Sequence, residues 1–125
     1  MPNAFSQNDM TEEAVLKLSP EAFDALPFGL IRLDNLGTVL AYNTAEASLA
    51  RRDKNTVIGR NFFTEVAPCT DTEMFAGRFR GLCAAGVPDS VSFDYDFRFP
   101  WGSRKVRIRL MFDSRANGWV FVTLL

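Results

Sequence analysis

From Val91 to Phe99 the chain alternates without a break: Val91, Phe93, Tyr95, Phe97 and Phe99 are apolar, while Ser92, Asp94, Asp96 and Arg98 are polar. A period of two places such sets on opposite faces of a strand. Val106, Ile108, Leu110 and Phe112 then alternate with Lys105, Arg107, Arg109 and Met111. The two wet faces are largely of opposite sign, which suits antiparallel pairing across the turn Pro100-Trp101-Gly102-Ser103. Asn117-Gly118 predicts a second turn into a closing strand, Trp119 to Leu125. Upstream, Phe28 to Leu33 and Thr38 to Tyr42 read as two strands joined by Asp34-Asn35-Leu36-Gly37.

Helical spacing fills the rest. Residues 1 to 25 read as a small helical cap, with helix formers from Thr11 to Leu18 and a start signal at Ser19-Pro20-Glu21. Such short pieces must lie on the rest of the domain, and can come off it. Short helical turns run from Asn43 to Val66, interrupted by Gly59. A longer helix is predicted from near Asp71, with Phe75, Phe79, Leu82 and Cys83 on one face and Gly86 ending it. Two strands, helices, then three strands predict an α+β fold: a five-stranded antiparallel sheet with helices on one face and an N-terminal cap. The division expected is a cap at 1–25 and a core at 26–125, within one domain.

Composition sharpens this picture. The 125 residues include twelve Phe, a dense aromatic supply that suits a core wrapped around a planar ligand. Fourteen basic and fifteen acidic side chains give net charge −1, which offers no footprint for nucleic acid or an anionic membrane. No stretch resembles a membrane span or a signal peptide, so a cytoplasmic location and reduced Cys69 and Cys83 are expected. The absence of histidine excludes a His-assisted nucleophile, a proximal-His haem and most zinc sites.

Three residues stand out chemically. Cys69, in Val66-Ala67-Pro68-Cys69-Thr70-Asp71, lies before the predicted helix, whose dipole would favour its thiolate. Taken alone, a cysteine is more often a small buried hydrophobe. Tyr42 and Glu46 lie four apart where a strand passes into a helical turn, so both can donate to one buried oxygen. Equally, Tyr42 reads as a core aromatic and Glu46 as the N3 member of a capping box on Asn43. Arg51 and Arg52 read as solvated loop charges.

The segments Asp34-x-x-Gly37-x-x-Leu40-x-Tyr42-Asn43-x-Ala45-Glu46, Arg52-Asp53, Val57-Ile58-Gly59-Arg60-Asn61-Phe62-Phe63 and Val66-Ala67-Pro68-Cys69-Thr70-Asp71 together closely resemble the photoactive yellow protein (xanthopsin) family of the PAS superfamily. The resemblance spans essentially the whole chain and is strongest from Tyr42 to Asp71. It implies a blue-light photoreceptor, not an enzyme, carrying p-coumaric acid (4-hydroxycinnamic acid) as a thioester on Cys69. Tyr42 and Glu46 would bond the phenolic oxygen, Arg52 would screen it from solvent, and the Cys69 N–H would hold the thioester carbonyl. Ile31, Phe62, Val66, Ala67, Thr70 and Phe97 would line the ring. It further implies trans–cis photoisomerisation, proton transfer from Glu46, partial unfolding of the cap as signal, and a downstream signalling protein. A monomer or weak dimer is expected.

The chain departs from the family at three positions. Ala50 stands where a hydroxyl residue usually bonds Tyr42, and Arg51 replaces a usual Gly. Trp101 stands about where many members have Met, from which slow dark recovery is expected. Two rival readings remain: a PAS ligand-sensing or interaction module without covalent chromophore, and an acyl-transfer enzyme built on Cys69, which would need an improvised base such as Glu46 or Glu65.

Overall fold

The computed structural model describes residues 6–125; the part of the expected cap that falls on residues 1–5 lies outside them. Five strands, β1 (Gly29–Leu33), β2 (Val39–Tyr42), β3 (Asp89–Phe99), β4 (Gly102–Phe112) and β5 (Gly118–Leu124), form one antiparallel sheet in the order β2-β1-β5-β4-β3. The predicted cross-strand charges meet, with Asp94 opposite Arg107 and Asp96 opposite Lys105.

Period-two alternation divides the sheet into two apolar faces. Ile31, Leu33, Val106, Ile108, Leu110, Val120 and Val122 point to the inner face. It is covered by α3 (Thr44–Ala50), α4 (Lys54–Val57), α5 (Arg78–Ala85) and the turns between them. Phe62, Phe63, Phe75, Phe79 and Phe93 pack there in mainly tilted and edge-on pairs 5.2–6.1 Å apart, the geometry aromatic quadrupoles favour. Their neighbours Leu30, Met111, Trp119 and Phe121 point to the outer face, beneath α1 (Glu12–Leu16) and α2 (Pro20–Ala25). Thr11 and Ser19 cap these two helices by accepting from Ala14 N and Ala22 N, and Pro20 begins α2 as its fixed φ allows.

The helix expected from Asp71 is broken up. Pro68–Thr70 forms a 3₁₀ turn, and Thr72 is extended. A π-type turn then covers Glu73–Gly77, and regular α-helix begins only at Arg78. Glu73 and Met74 are exposed, whereas Phe75 and Phe79 are buried at helical spacing and Leu82 and Cys83 pack against the same core. The periodicity located the apolar face but not the hydrogen-bond pattern.

The second hairpin turn is also shifted. Asp113–Asn117 makes it, with Ala116 left-handed at φ 62°. Gly118 is the first residue of β5, and the Phe79 ring occupies the space a Cβ would need there. A glycine that reads as a turn former is in fact required by packing.

Candidate functional site

The chain leaves β2 at Tyr42 and enters α3 through Asn43, a fully buried N-cap. Asn43 Oδ1 accepts from Glu46 N and Leu30 N, while Asn43 Nδ2 donates to the carbonyls of Phe23 and Phe28. The other half of a capping box is missing, because Asn43 N donates to Leu30 O. The Glu46 carboxyl is therefore not tied to the helix start. It turns inward, 1 % exposed, and its Oε1 is buried without a hydrogen-bond partner. Gly29 is needed beside it, since a Cβ there would meet Oε1.

A buried carboxylate with no partner is costly, so the group stays neutral instead. Burial pushes the Glu46 carboxyl from 4.5 up to about 8. Burial also raises the Tyr42 phenol above its usual 10; the neighbouring Glu46 adds to this and Arg52 partly opposes it. At neutral pH both groups are protonated donors.

Both line a cavity of about 220 Å³ between β3 and the segment from α3 to Pro68. Arg52, Phe62, Val66, Ala67 and Phe97 line it too, and so do Ala50, Pro68, Arg98, Phe99 and Pro100. Ala50, with only a methyl group, offers Tyr42 no hydrogen bond. Phe97 and Phe99 stack at 4.6 Å and 26°. Phe99 was missed as a lining residue, although its alternation with Phe97 puts both on one face of β3.

Cys69 lies at the Pro68–Arg98 end. Its Sγ accepts from Arg98 N at 3.4 Å, and its carbonyl accepts from the Tyr95 hydroxyl at 2.6 Å. The expected helix-dipole activation is not what the fold provides. Cys69 sits inside a three-residue 3₁₀ turn, nine residues before the regular helix, and dipole effects fade within one turn. The Arg98 N–H is the donor that does face the sulfur. Cys69 and Cys83 are both free thiols.

Ile31, Thr70 and Trp101 are not among the residues that line this cavity. Ile31 is fully buried in the sheet between Tyr42 and Val120. Thr70 donates to Ala67 O at 2.6 Å and so fastens the 3₁₀ turn. Trp101 stacks at 5.2 Å on the cavity-lining Phe99, and its Nε1 donates to Leu49 O at 2.7 Å. Arg51, expected as a solvated loop charge, places its Cζ 5.0 Å from the Trp101 ring centre.

A sheet with an inner pocket walled by helical turns is the PAS arrangement, and a match to the PAS fold covers residues 23–109. Photoactive yellow protein of Rhodothalassium salexigens is 42 % identical over 119 residues, 94 % of each chain. That of Rhodobacter capsulatus is 38 % identical over 121 residues, again 94 % of each chain. Among solved structures, the photoactive yellow protein domain of the sensor histidine kinase Ppr from Rhodospirillum centenum superposes with a TM-score of 0.83 at 38 % identity, covering 90 % of this chain and 98 % of that one. The chain is a PAS-fold protein. Within that fold it belongs to the photoactive yellow protein family of blue-light photoreceptors. Among the described residues no helix is long and apolar enough to cross a membrane.

Proposed function

We propose that this protein senses blue light through p-coumaric acid held as a thioester on Cys69, with Tyr42 and Glu46 as donors to its phenolic oxygen. The observation that carries this reading is Glu46: a fully buried acid, kept neutral by its surroundings, with an oxygen left unpartnered beside a cavity. A stability-driven core would not retain such a group, because an unsatisfied buried polar atom costs about 1–3 kcal/mol. An apolar cavity of ~150 Å³ holds a benzene ring, so about 220 Å³ suits one ring with a short tail.

Bound there, the p-coumaroyl group supplies absorption of blue light and a light-driven trans–cis isomerisation. The chain's own residues do the rest. Tyr42 Oη and protonated Glu46 Oε1 are donors to an anionic oxygen, and bonds of that kind are about twice as strong as neutral ones. Arg52, half-buried at the cavity wall, screens the pair from water. Arg98 N–H faces the Cys69 sulfur, and Tyr95 and Thr70 hold its turn.

Transfer of the Glu46 proton to that anionic oxygen would leave a buried carboxylate with no cation against it, a state costing several kcal/mol. Asn43 carries the consequence outward. It bonds Glu46 N on one side and the Phe23 and Phe28 carbonyls, at the end of the N-terminal segment, on the other. Release of that segment, residues 1–25, as a unit separable from the 26–125 core is the output, and a signalling protein receives it.

Mixing the apoprotein with an activated p-coumaroyl ester tests the reading. A mass increase of one p-coumaroyl group, a yellow colour and bleaching by blue light are expected, all absent in Cys69→Ala. A colourless protein that ignores illumination at neutral pH overturns it and leaves the ligand-sensing alternative.

A further inference from the structure

Cys69 is held at two points from a single strand. Tyr95 and Arg98 lie three residues apart on β3. The Arg98 N–H donates to Cys69 Sγ, and the hydroxyl of half-buried Tyr95 donates to Cys69 O at 2.6 Å. A phenol has one proton to give, and a carbonyl can only accept. Thr72 Oγ1, 3.0 Å from the same hydroxyl, is therefore the donor of that second bond. The order is fixed: Thr72 donates to Tyr95, and Tyr95 to the Cys69 carbonyl. Linked bonds of this kind polarise and strengthen one another.

Thr72 and the Tyr95 ring are both committed to this contact. Thr72 precedes the turn Glu73–Gly77, where a threonine hydroxyl commonly accepts from a backbone N–H of the first turn; here it makes no such bond. The Tyr95 ring stands edge-on to Phe75 at 5.2 Å and 84°, and to Phe93 at 6.2 Å and 76°. The other bonds of the segment run from Thr70 Oγ1 to Ala67 O, from Asp71 N to Pro68 O and from Thr72 N to Thr70 O. They shape the turn without attaching it to the sheet. Among the described residues, the hydrogen bonds between Cys69 and β3 all involve Tyr95 or Arg98. Acylation weakens the Arg98 bond, because a sulfur bonded to two carbons is a weak acceptor. The Tyr95 bond is untouched by it.

We propose that Tyr95, backed by Thr72, is the positioning residue for acylated Cys69, keeping the anchored end of the chromophore still while light acts on the rest. This rests on the reading that Cys69 carries a p-coumaroyl thioester. With the phenolic oxygen gripped by Tyr42 and Glu46 and the sulfur held through Tyr95, neither end follows a swing of the whole group. The twist then falls on the ethylenic bond between them. Where the anchor yields, excitation is lost in movement of Cys69 and in emission, and fewer photons lead to isomerisation.

The test uses Tyr95→Phe, which keeps the ring between Phe75 and Phe93, and Thr72→Val, which removes only the supporting donor. Thr72→Ser keeps the hydroxyl and serves as the rescue. In the apoprotein, the Cys69 carbonyl is observed by infrared after ¹³C-carbonyl cysteine labelling in a Cys83→Ala background. Its stretch should rise in Tyr95→Phe, rise by a smaller step in Thr72→Val, and return in Thr72→Ser. Amide exchange at Asp71 and Thr72 should quicken about tenfold in Tyr95→Phe. In the chromophore-loaded protein, bleaching per absorbed photon should fall and fluorescence should rise in the same order of variants. If Tyr95→Phe does not fold, Thr72→Val decides by the same two readings. A yellow, thioester-bearing variant whose carbonyl band or bleaching yield matches wild type overturns the proposal and leaves the chromophore reading intact. A wild-type chain that forms no thioester on Cys69 overturns both.

Discussion

The two faces of one sheet are built on opposite plans. The inner face is sealed by a dense cluster of rings and conceals a neutral acid with an unused oxygen. The outer face is covered by two short helices, pinned by Arg109, by Gln7 Nε2 donating to Arg107 O and Thr123 Oγ1, and by Ser114 Oγ donating to Glu12. Helices of five and six residues have no stability of their own, so their attachment rests on these contacts and on the packing of Met10, Val15 and Phe23 against the sheet. On the reading proposed above, energy stored on the inner face would be released by local opening on the outer one, not by global unfolding. Asn43 touches both sides of that divide.

The largest expected effect is pH dependence on the inner face. Below about pH 4.5 Glu46 is protonated in the folded and unfolded chains alike, and its contribution to stability is fully present. As pH rises the unfolded chain ionises first, so stability falls by ~1.4 kcal/mol per pH unit until the folded-state value of about 8 is passed. Urea titrations of the apoprotein from pH 5 to 8 should show a loss of several kcal/mol, and Glu46→Gln should flatten it. A slope unchanged in Glu46→Gln would mean that Glu46 is not the neutral buried acid described here. Arg109 does not titrate in this range, so the outer face contributes no such slope.

Next comes packing. Gly118→Ala places a methyl group against the Phe79 ring, inside a cluster that cannot yield without moving several other rings. Overpacking of this kind costs about 1–3 kcal/mol, and a lower urea midpoint at unchanged slope is expected. On the outer face, Arg109→Gln removes two charge-assisted bonds to Gln7 and Met10. It should lower the opening free energy of residues 7–16 by about 2 kcal/mol, read by amide exchange, while the protection of Ile108 and Val120 changes far less. Equal loss of protection in both places would make the two faces a single cooperative unit.

Much of this was legible in the sequence. Alternation alone places Phe93, Phe97, Val106, Ile108 and Leu110 on one side of the sheet and Arg107 and Arg109 on the other, and Thr11, Ser19 and Asn43 announce their helices. What it hid depends on contacts between distant segments. Arg109 reads as a residue of a wet face because nothing local reveals that Gln7 and Met10 cover it. The interruption at Asp71-Thr72, which removes Cys69 from a helix start, follows from Pro68 and Thr70 forming their own turn. Glu46 gave an ambiguous signal: the capping-box spacing is present, and only the bond from Asn43 N to Leu30 O frees the carboxyl for the cavity.

The smallest effect lies at the cavity's outer wall, where the departures Arg51 and Trp101 meet. Arg51 is left-handed at φ 55°, a conformation that costs a non-glycine residue about 1 kcal/mol. Its guanidinium recovers part of that over the Trp101 ring, since exposed cation–π contacts contribute about 0.5–1 kcal/mol. Arg51→Gly should therefore leave stability nearly unchanged, the relieved backbone offsetting the lost contact. Trp101→Phe keeps a ring for Phe99 and Arg51 but leaves Leu49 O without its 2.7 Å donor, and should lower the urea midpoint by the equivalent of about 1 kcal/mol. Phe99 lines the cavity, Trp101 does not, and the two rings stack, so an influence of Trp101 on dark recovery is expected to act through the Phe99 ring. Recovery in chromophore-loaded Trp101→Phe, where that stack survives, should then stay close to wild type, and a several-fold change would show that the indole reaches the pocket itself.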